Sequence, residues 1–139
     1  INENIKDNEY FNLFSLSKNN FLSNFKEIEL PTIFYESIIS IMPNVKTLRI
    51  KNNVLFIKTD KQVTREHFIN SFVNGKKIYI KEIQKYIIDK FNFELEEFYI
   101  KEFINKKKYY LDSSIDCVYI SKEEYEQDIN SIEILQYLE

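Results

Sequence analysis

The sequence predicts a helix-rich α+β fold. Apolar residues recur every three or four positions over several stretches, which is the spacing of amphipathic helices. Two pairs of short runs rich in β-branched and aromatic residues, within 47–58 and 109–120, are each joined by polar turn residues and predict two β-hairpins. One glycine and two prolines among 139 residues favour helices joined by short turns.

The N-terminal region is predicted to be helical. Residues 1–30 are rich in Asn but carry many large apolar side chains, so they are expected to pack as one or two helices. Pro31 is suited to begin a further helix and Pro43 to end it. The residues of this helix expected to face the core are Ile33, Phe34, Ile38, Ile41 and Met42.

The hairpin within 47–58 is predicted to turn at Asn52-Asn53, because asparagine accepts the positive φ angles of a tight turn. This register pairs Ile50 with Leu55 and Leu48 with Ile57, and it places those four side chains on the buried face.

The opposite face of this hairpin would then combine cations with an aromatic ring. Its members are Arg49, Lys51, Phe56 and Lys58. Such a face can hold single-stranded nucleic acid by stacking and phosphate contact. A half-buried antiparallel sheet also commonly carries charged residues on its wet face for solubility alone.

Three helices are predicted between residues 64 and 105. Thr64 is suited to cap the first helix and Gly75 to end it. The second helix has Ile80, Ile83, Ile87 and Phe91 along one face, and Asn92 makes a short turn in a left-handed conformation. The third helix spans 94–105, and its apolar face is expected to carry Leu95, Phe98, Tyr99, Phe103 and Ile104.

A second hairpin and a final helix complete the chain. The strands of this hairpin are predicted at 109–111 and 118–120, with a polar loop between them. Ser121 and Glu124 have the spacing of a capping box that begins the last helix. We expect this helix to dock on the domain or to pair with another copy of the chain.

From Thr64 to Ile120, three helices followed by a hairpin make an order of elements that resembles the winged helix-turn-helix family. The resemblance covers 57 of 139 residues and rests on element order, without a diagnostic motif. It implies a winged-helix-like domain at 63–139, with helix 94–105 in the DNA major groove and the hairpin as a wing. Residues 1–62 would hold the N-terminal helices and the separate hairpin, unless the whole chain is one compact unit. An ordinary small α+β domain can have the same element order without a nucleic-acid role.

Charge is distributed unevenly along the chain. Residues 46–90 carry eleven Lys or Arg against four acidic residues, a net charge of +7, whereas residues 1–45 have −3 and residues 91–139 have −7. A basic middle third of this kind favours an anionic partner, either nucleic acid or an acidic protein surface.

The candidate nucleic-acid-binding residues are therefore cations. They are Arg49, Lys51, Lys58, Arg65, Lys76, Lys77, Lys101, Lys106, Lys107 and Lys108. On the third helix, however, Lys101 stands among Glu94, Glu96, Glu97 and Glu102, and carboxylates facing phosphates weaken DNA binding. The Lys106–Lys108 run is also favoured at a helix C-terminus by the helix dipole alone.

Several functional classes are set aside by composition. One glycine excludes a P-loop and a dinucleotide-binding fingerprint, and His67 and Cys117, each the only one of its type, exclude metal sites that need two or more His or Cys ligands. No catalytic residue, metal site or cofactor is predicted, and we do not expect an enzyme.

We expect instead a non-catalytic nucleic-acid-binding or regulatory module of winged-helix type, within a larger protein. The alternative is a protein-interaction module that uses the acidic third helix and the C-terminal helix. The expected partner is thus DNA, another protein, or a second copy of this chain through its last helix. With no apolar run of about eighteen residues and no signal-peptide pattern, no membrane association and a cytoplasmic location are expected.

Overall fold

A computed structural model describes residues 6–18 and 32–138, and the helical prediction for residues 19–30 and the helix start predicted at Pro31 lie outside these ranges. Over the described ranges the chain is mixed α+β, with six helices and two three-stranded antiparallel sheets. The elements are β1 (Tyr10–Phe11), α1 (Leu13–Lys18), α2 (Thr32–Ser40), β2 (Val45–Ile50), β3 (Asn53–Lys58), α3 (Arg65–Asn70), β4 (Ile78–Tyr79), α4 (Ile80–Phe91), α5 (Glu97–Phe103), β5 (Tyr110–Asp112), β6 (Cys117–Tyr119) and α6 (Lys122–Leu138).

The chain divides into two compact units. The first unit contains the described residues up to Phe68 together with Tyr86–Glu94, and the second contains Ile69–Lys85 and the residues from Leu95 onward. Helices α3 and α4 each contribute residues to both units. The domain boundary predicted between residues 62 and 63 stays a prediction.

In the first unit, β3 is the central strand of a sheet with the order β1-β3-β2. The hairpin turn is Lys51-Asn52, since Ile50 pairs with Asn53 and Leu48 with Leu55. The predicted turn and register were therefore wrong: Lys51, with φ of 55°, takes the left-handed position, and Asn53 belongs to β3. The pairing shifts by two residues, so the alternation of faces is preserved, and Leu48, Ile50, Leu55 and Ile57 are buried as predicted.

The second face of this sheet, predicted to be wet, is covered around Phe56 and exposed at Thr47 and Arg49. Phe56 is fully buried, and its ring centroid lies 5.7 Å from that of Phe11. It belongs to a core cluster with Phe11, Leu16, Ile39 and Val45, which come from β1, α1, α2 and β2. Because residues of α1 and α2 pack against Phe56, its ring is not available for base stacking.

The side of helix α2 that packs against the core is not the predicted one. Ile39 is buried, whereas Ile33 and Ile41 are 72% and 82% exposed. Phe34 and Ile38 are also exposed, and Met42 alone of the predicted set packs against the core cluster. The apolar residues of α2 occupy more than one side of the helix, so spacing alone did not identify the buried side.

In the second unit the sheet order is β4-β6-β5. The predicted second hairpin is present, with Tyr110 opposite Tyr119 and Asp112 opposite Cys117. β4 pairs with β6 through Ile78 opposite Val118. This two-residue strand, directly followed by α4, is too short to give a periodic sequence signal.

The helix boundaries follow local capping in part. The Thr64 hydroxyl accepts a hydrogen bond from the His67 backbone N–H at 3.1 Å, which confirms the predicted cap of α3. The helix ends at Asn70 rather than at Gly75, which has a φ of 74° in the loop that follows. The α4 face of Ile80, Ile83, Ile87 and Phe91 is buried as predicted.

Helix α5 is shorter than predicted. Asn92 adopts the predicted left-handed conformation with φ of 59°, but Glu96 is still extended at ψ of 150°, so the helix spans Glu97–Phe103. Leu95 lies in the segment that connects α4 to α5 and is buried. Within α5 itself, the buried residue is Ile100. Phe98, predicted to face the core, is 63% exposed.

Over the described residues, two sets of elements on either side of α3 follow the same order. β1-α1-α2-β2-β3 and β4-α4-α5-β5-β6 both run strand, helix, helix, strand, strand. In each sheet the third strand of the set lies between the first and the second. These two sets of described elements therefore share one sheet topology.

Candidate functional site

A groove lies between α5 and the β5–β6 hairpin of the second unit, and we call it the α5 groove. Its volume is about 670 Å³. Its lining includes Phe98, Lys101, Glu102, Lys106, Tyr110 and Leu111. An exposed aromatic ring, aliphatic surface and charges of both signs are therefore brought together.

Phe98 owes its exposure to helical geometry. Ile100 marks the buried side of α5, and a residue two positions before it points to the opposite side of an α-helix. The phenyl ring consequently stands in the groove. The sequence prediction missed this because it began the helix three residues too early and counted Phe98 in the apolar face.

The cation of α5 is held by a carboxylate. Lys101 forms an ion pair with Asp116 of the hairpin loop. Asp116 has a φ of 52°, and its carbonyl accepts a hydrogen bond from the Ile80 N–H at 2.8 Å, which fixes this part of the loop. The pairing neutralises Lys101, and the exposed charged residues on and just before the helix are acidic: Glu94, Glu96 and Glu102.

Lys106, Lys107 and Lys108 are exposed in the turn after α5. Asn105 shapes this turn, because its side-chain oxygen accepts a hydrogen bond from the Lys107 N–H at 3.1 Å. The ammonium group of Lys108 lies 5.3 Å from the centroid of the Tyr109 ring. One end of the α5 groove is therefore basic.

The remaining predicted cations fall into two groups. Lys58 pairs with Asp7 at 3.6 Å, and Lys77 pairs with Asp128 at 3.0 Å. The second group consists of exposed residues: Arg49, Lys51, Arg65 and Lys76. Of the ten candidates, the structure brings Lys101 and Lys106 into the α5 groove, and it places Arg65 against the backbone of Arg49.

A polar cluster that shares no residue with the α5 groove lining attaches α6 to the sheet of the second unit. The Tyr119 hydroxyl donates to Asp128 Oδ2 at 2.9 Å, and Lys77 Nζ donates to the same oxygen. These hydrogen bonds, the one from Lys77 foremost, lower the pKa of Asp128. The pKa of Tyr119 is raised, chiefly by burial and then by its bond to Asp128, and that of Lys77 is raised by the same carboxylate. All three groups are engaged with one another, so we assign the cluster a structural role.

Cys117 and His67 are placed apart from the α5 groove lining. The Cys117 thiol is fully buried, and burial raises its pKa. His67 Nδ1 is hydrogen-bonded to the hydroxyl of buried Tyr10 within the first unit. Nowhere in residues 6–18 and 32–138 do three or more His, Cys, Asp or Glu side chains converge as a metal site would require.

Among the helices that the structure describes, none combines the length and the apolar character needed to cross a bilayer. Comparison of the chain with protein-family models, with curated proteins and with solved structures gave no match.

Proposed function

We propose that this chain is a non-catalytic binding module of winged-helix type, and that its α5 groove binds a protein segment. The fold part of the proposal is supported by the order of elements in each of the two sets and by the position of the third strand between the other two. In the second unit, α5 and the β5–β6 hairpin then correspond to the recognition helix and the wing.

The exposure of Phe98 carries the functional part. A large aromatic side chain that is 63% exposed in a groove costs free energy in water, and a partner that buries the exposed part recovers about 1–2 kcal/mol. Aromatic residues in pockets are also the side chains on which protein interfaces most often depend. Tyr109 and Tyr110 beside it extend the same kind of surface.

Charge defines the chemistry of the partner. Glu94, Glu96 and Glu102 are exposed on or next to α5, and Lys101 is occupied by Asp116. A phosphate approaching Glu102 in the groove would meet a carboxylate, whereas a Lys or Arg side chain would be attracted. The best-fitting partner is a protein segment with an apolar anchor residue and a basic side chain that meets Glu102.

Selection from a phage-displayed library of short random peptides, with the purified chain as bait, tests this proposal. We expect enrichment of peptides that combine an apolar anchor with Lys or Arg, and a loss of affinity of roughly tenfold or more on Phe98→Ala. Ile88→Ala is the matched control, because Ile88 is an exposed apolar residue of α4 outside the groove. Enriched peptides that bind Phe98→Ala as tightly as the natural chain would refute the α5 groove as the docking site.

Nucleic-acid binding is the second candidate function, and the exposed Lys106–Lys108 run favours it. Fluorescence anisotropy of labelled duplex and single-stranded DNA at two salt concentrations tests it. Binding at or below about 10⁻⁶ M that weakens steeply with salt, and that is lost when the three lysines are changed to alanine, would support it. Absence of binding at roughly 10⁻⁴ M in low salt would remove this candidate.

A further inference from the structure

Strand β2 lies at an edge of the first sheet. In the described part of the chain, β3 is the one strand that pairs with it. β2 is six residues long, and Lys46, Thr47 and Arg49 along it are exposed. An exposed edge of this length presents unpaired backbone donors and acceptors to any strand that approaches.

The pairing pattern shows which backbone groups face outward. Residues of an antiparallel pair alternate between positions that bond to the partner strand and positions that point away from it. The Thr59 N–H donates to the Asn44 carbonyl at 2.7 Å, which makes the even-numbered residues of β2 the ones bonded to β3. Thr47 and Arg49 therefore direct their N–H and C=O groups to the free edge.

The contact of Arg65 with β2 supports this assignment independently. Arg65 Nε donates to the Arg49 carbonyl at 3.1 Å, which it can reach only if that carbonyl points away from β3. As far as residues 6–18 and 32–138 are concerned, the outward groups of these two positions that an incoming strand can bond are then the N–H and C=O of Thr47 and the N–H of Arg49.

Four cations lie on β2 or close to it. Lys46, Arg49, Lys51 and Arg65 are exposed, and β2 carries no acidic residue. A strand with acidic side chains would gain electrostatic attraction in addition to backbone hydrogen bonds.

We propose that β2 is a docking edge for an extended, acidic segment of a partner protein, which adds to the first sheet as a fourth, outer strand. This site lies in the first unit and does not depend on the function of the α5 groove. Backbone recognition gives the affinity, and the four cations select against neutral and basic segments. A nucleic acid would use the same cations but has no row of amides and carbonyls to match the strand.

The test uses a fluorescein-labelled peptide with alternating Glu and Val, and a counterpart with Lys in place of Glu. Anisotropy should detect binding of the acidic peptide and at least roughly tenfold weaker binding of the basic one. Thr47→Pro removes the outward N–H but leaves the bonds to β3, a change that edge strands tolerate, and should abolish binding. Thr47→Val keeps the N–H and should bind as the natural chain does.

A second pair of variants keeps the proposal testable if Thr47→Pro does not fold. Arg49→Glu with Lys51→Glu should weaken binding of the acidic peptide by roughly tenfold or more, whereas Lys81→Glu with Lys85→Glu, on exposed positions of α4, should not. Hydrogen exchange at Thr47 and Arg49 should slow when the acidic peptide is bound. Unchanged exchange at both amides, or equal binding to Thr47→Pro and Thr47→Val, would overturn strand addition. A different result would assign this surface to nucleic acid. In that case the chain would bind single-stranded DNA, the charge reversals would abolish this binding, and Thr47→Pro would leave it intact.

Discussion

Lys77 Nζ lies 3.0 Å from Asp128 Oδ2, so the segment that leads into β4 is tied to helix α6. The same oxygen accepts the Tyr119 hydroxyl of β6. One carboxylate thus joins a strand, a loop and the C-terminal helix of the second unit, and its removal affects all three.

Asp128→Asn is expected to destabilise the chain in a pH-dependent way. Because Lys77 and Tyr119 lower the pKa of Asp128 in the folded state, the carboxylate adds stability above its ordinary pKa of 3.8. That contribution is lost as the pH falls through the lower, folded value. Urea unfolding should show a less stable variant at pH 7, and the difference from the natural chain should shrink below about pH 4.

Glu126→Gln is the control for this prediction, since Glu126 is an exposed carboxylate on the same helix. It should change stability by less than about 0.5 kcal/mol at either pH. A difference between Asp128→Asn and the natural chain that stays constant from pH 7 down to pH 3 would contradict the assigned ionic role.

Truncation of Ile100 should lower the free energy of unfolding far more than truncation of Phe98. Ile100→Ala removes a fully buried side chain and should cost about 2–5 kcal/mol in the free energy of unfolding. Phe98→Ala removes a mostly exposed one and should change it by no more than about 0.5 kcal/mol. Chemical denaturation of both variants measures this, and a loss above 2 kcal/mol for Phe98→Ala would place its ring in the core instead of the groove.

The Tyr10 hydroxyl should contribute to the stability of the first unit. It is hydrogen-bonded to His67 Nδ1 in a buried position, so Tyr10→Phe should cost about 0.5–1.5 kcal/mol. Tyr86→Phe, at a half-exposed position, is the control and should be near neutral.

The ionisation of Tyr10 should also be detectable in an alkaline titration. Burial raises the pKa of Tyr10 to about 12, so the folded state holds this phenol neutral after the unfolded chain has begun to ionise it. The resulting stability is present below pH 10 and is lost as the pH rises through 12. Ultraviolet difference spectra of the natural chain and Tyr10→Phe should differ by one late-titrating phenol, and identical titration curves would contradict the burial.

Cys117 should be inert to thiol reagents in the native protein. Its side chain is fully buried and burial raises its pKa, so little thiolate forms and reagents reach it only after the strand opens. Labelling with a chromogenic disulfide should be roughly a hundredfold or more slower in buffer than in denaturant. Rapid labelling of the folded chain would show that β6 opens easily.

Local physical chemistry made much of the secondary structure predictable. The spacing of Ile80, Ile83, Ile87 and Phe91 defined α4, and Asn92 took the left-handed conformation expected of it. Thr64 and Ser121 cap their helices as short-range hydrogen bonding requires. These features depend on neighbours within one or two turns, which the sequence contains directly.

Short-range sequence patterns did not predict every pair of strands. β1 and β4 are two residues long and exist because each pairs with a strand distant along the chain. The burial of Phe56 depends on helices that cover its face, and the turn at Lys51-Asn52 depends on which pairing of the two strands packs best. No local pattern specifies any of these outcomes.

The candidate site was likewise found only in part. The cations of the α5 groove, Lys101 and Lys106, were identified from charge, but the exposure of Phe98 and the neutralisation of Lys101 by Asp116 were not. By itself the sequence determined the helix-rich α+β class, the caps and the two hairpins, because short-range periodicity and hydrogen bonding encode them. The tertiary structure decided which apolar residues are covered and which cations are paired, because burial and ion pairing depend on partners far apart in the chain.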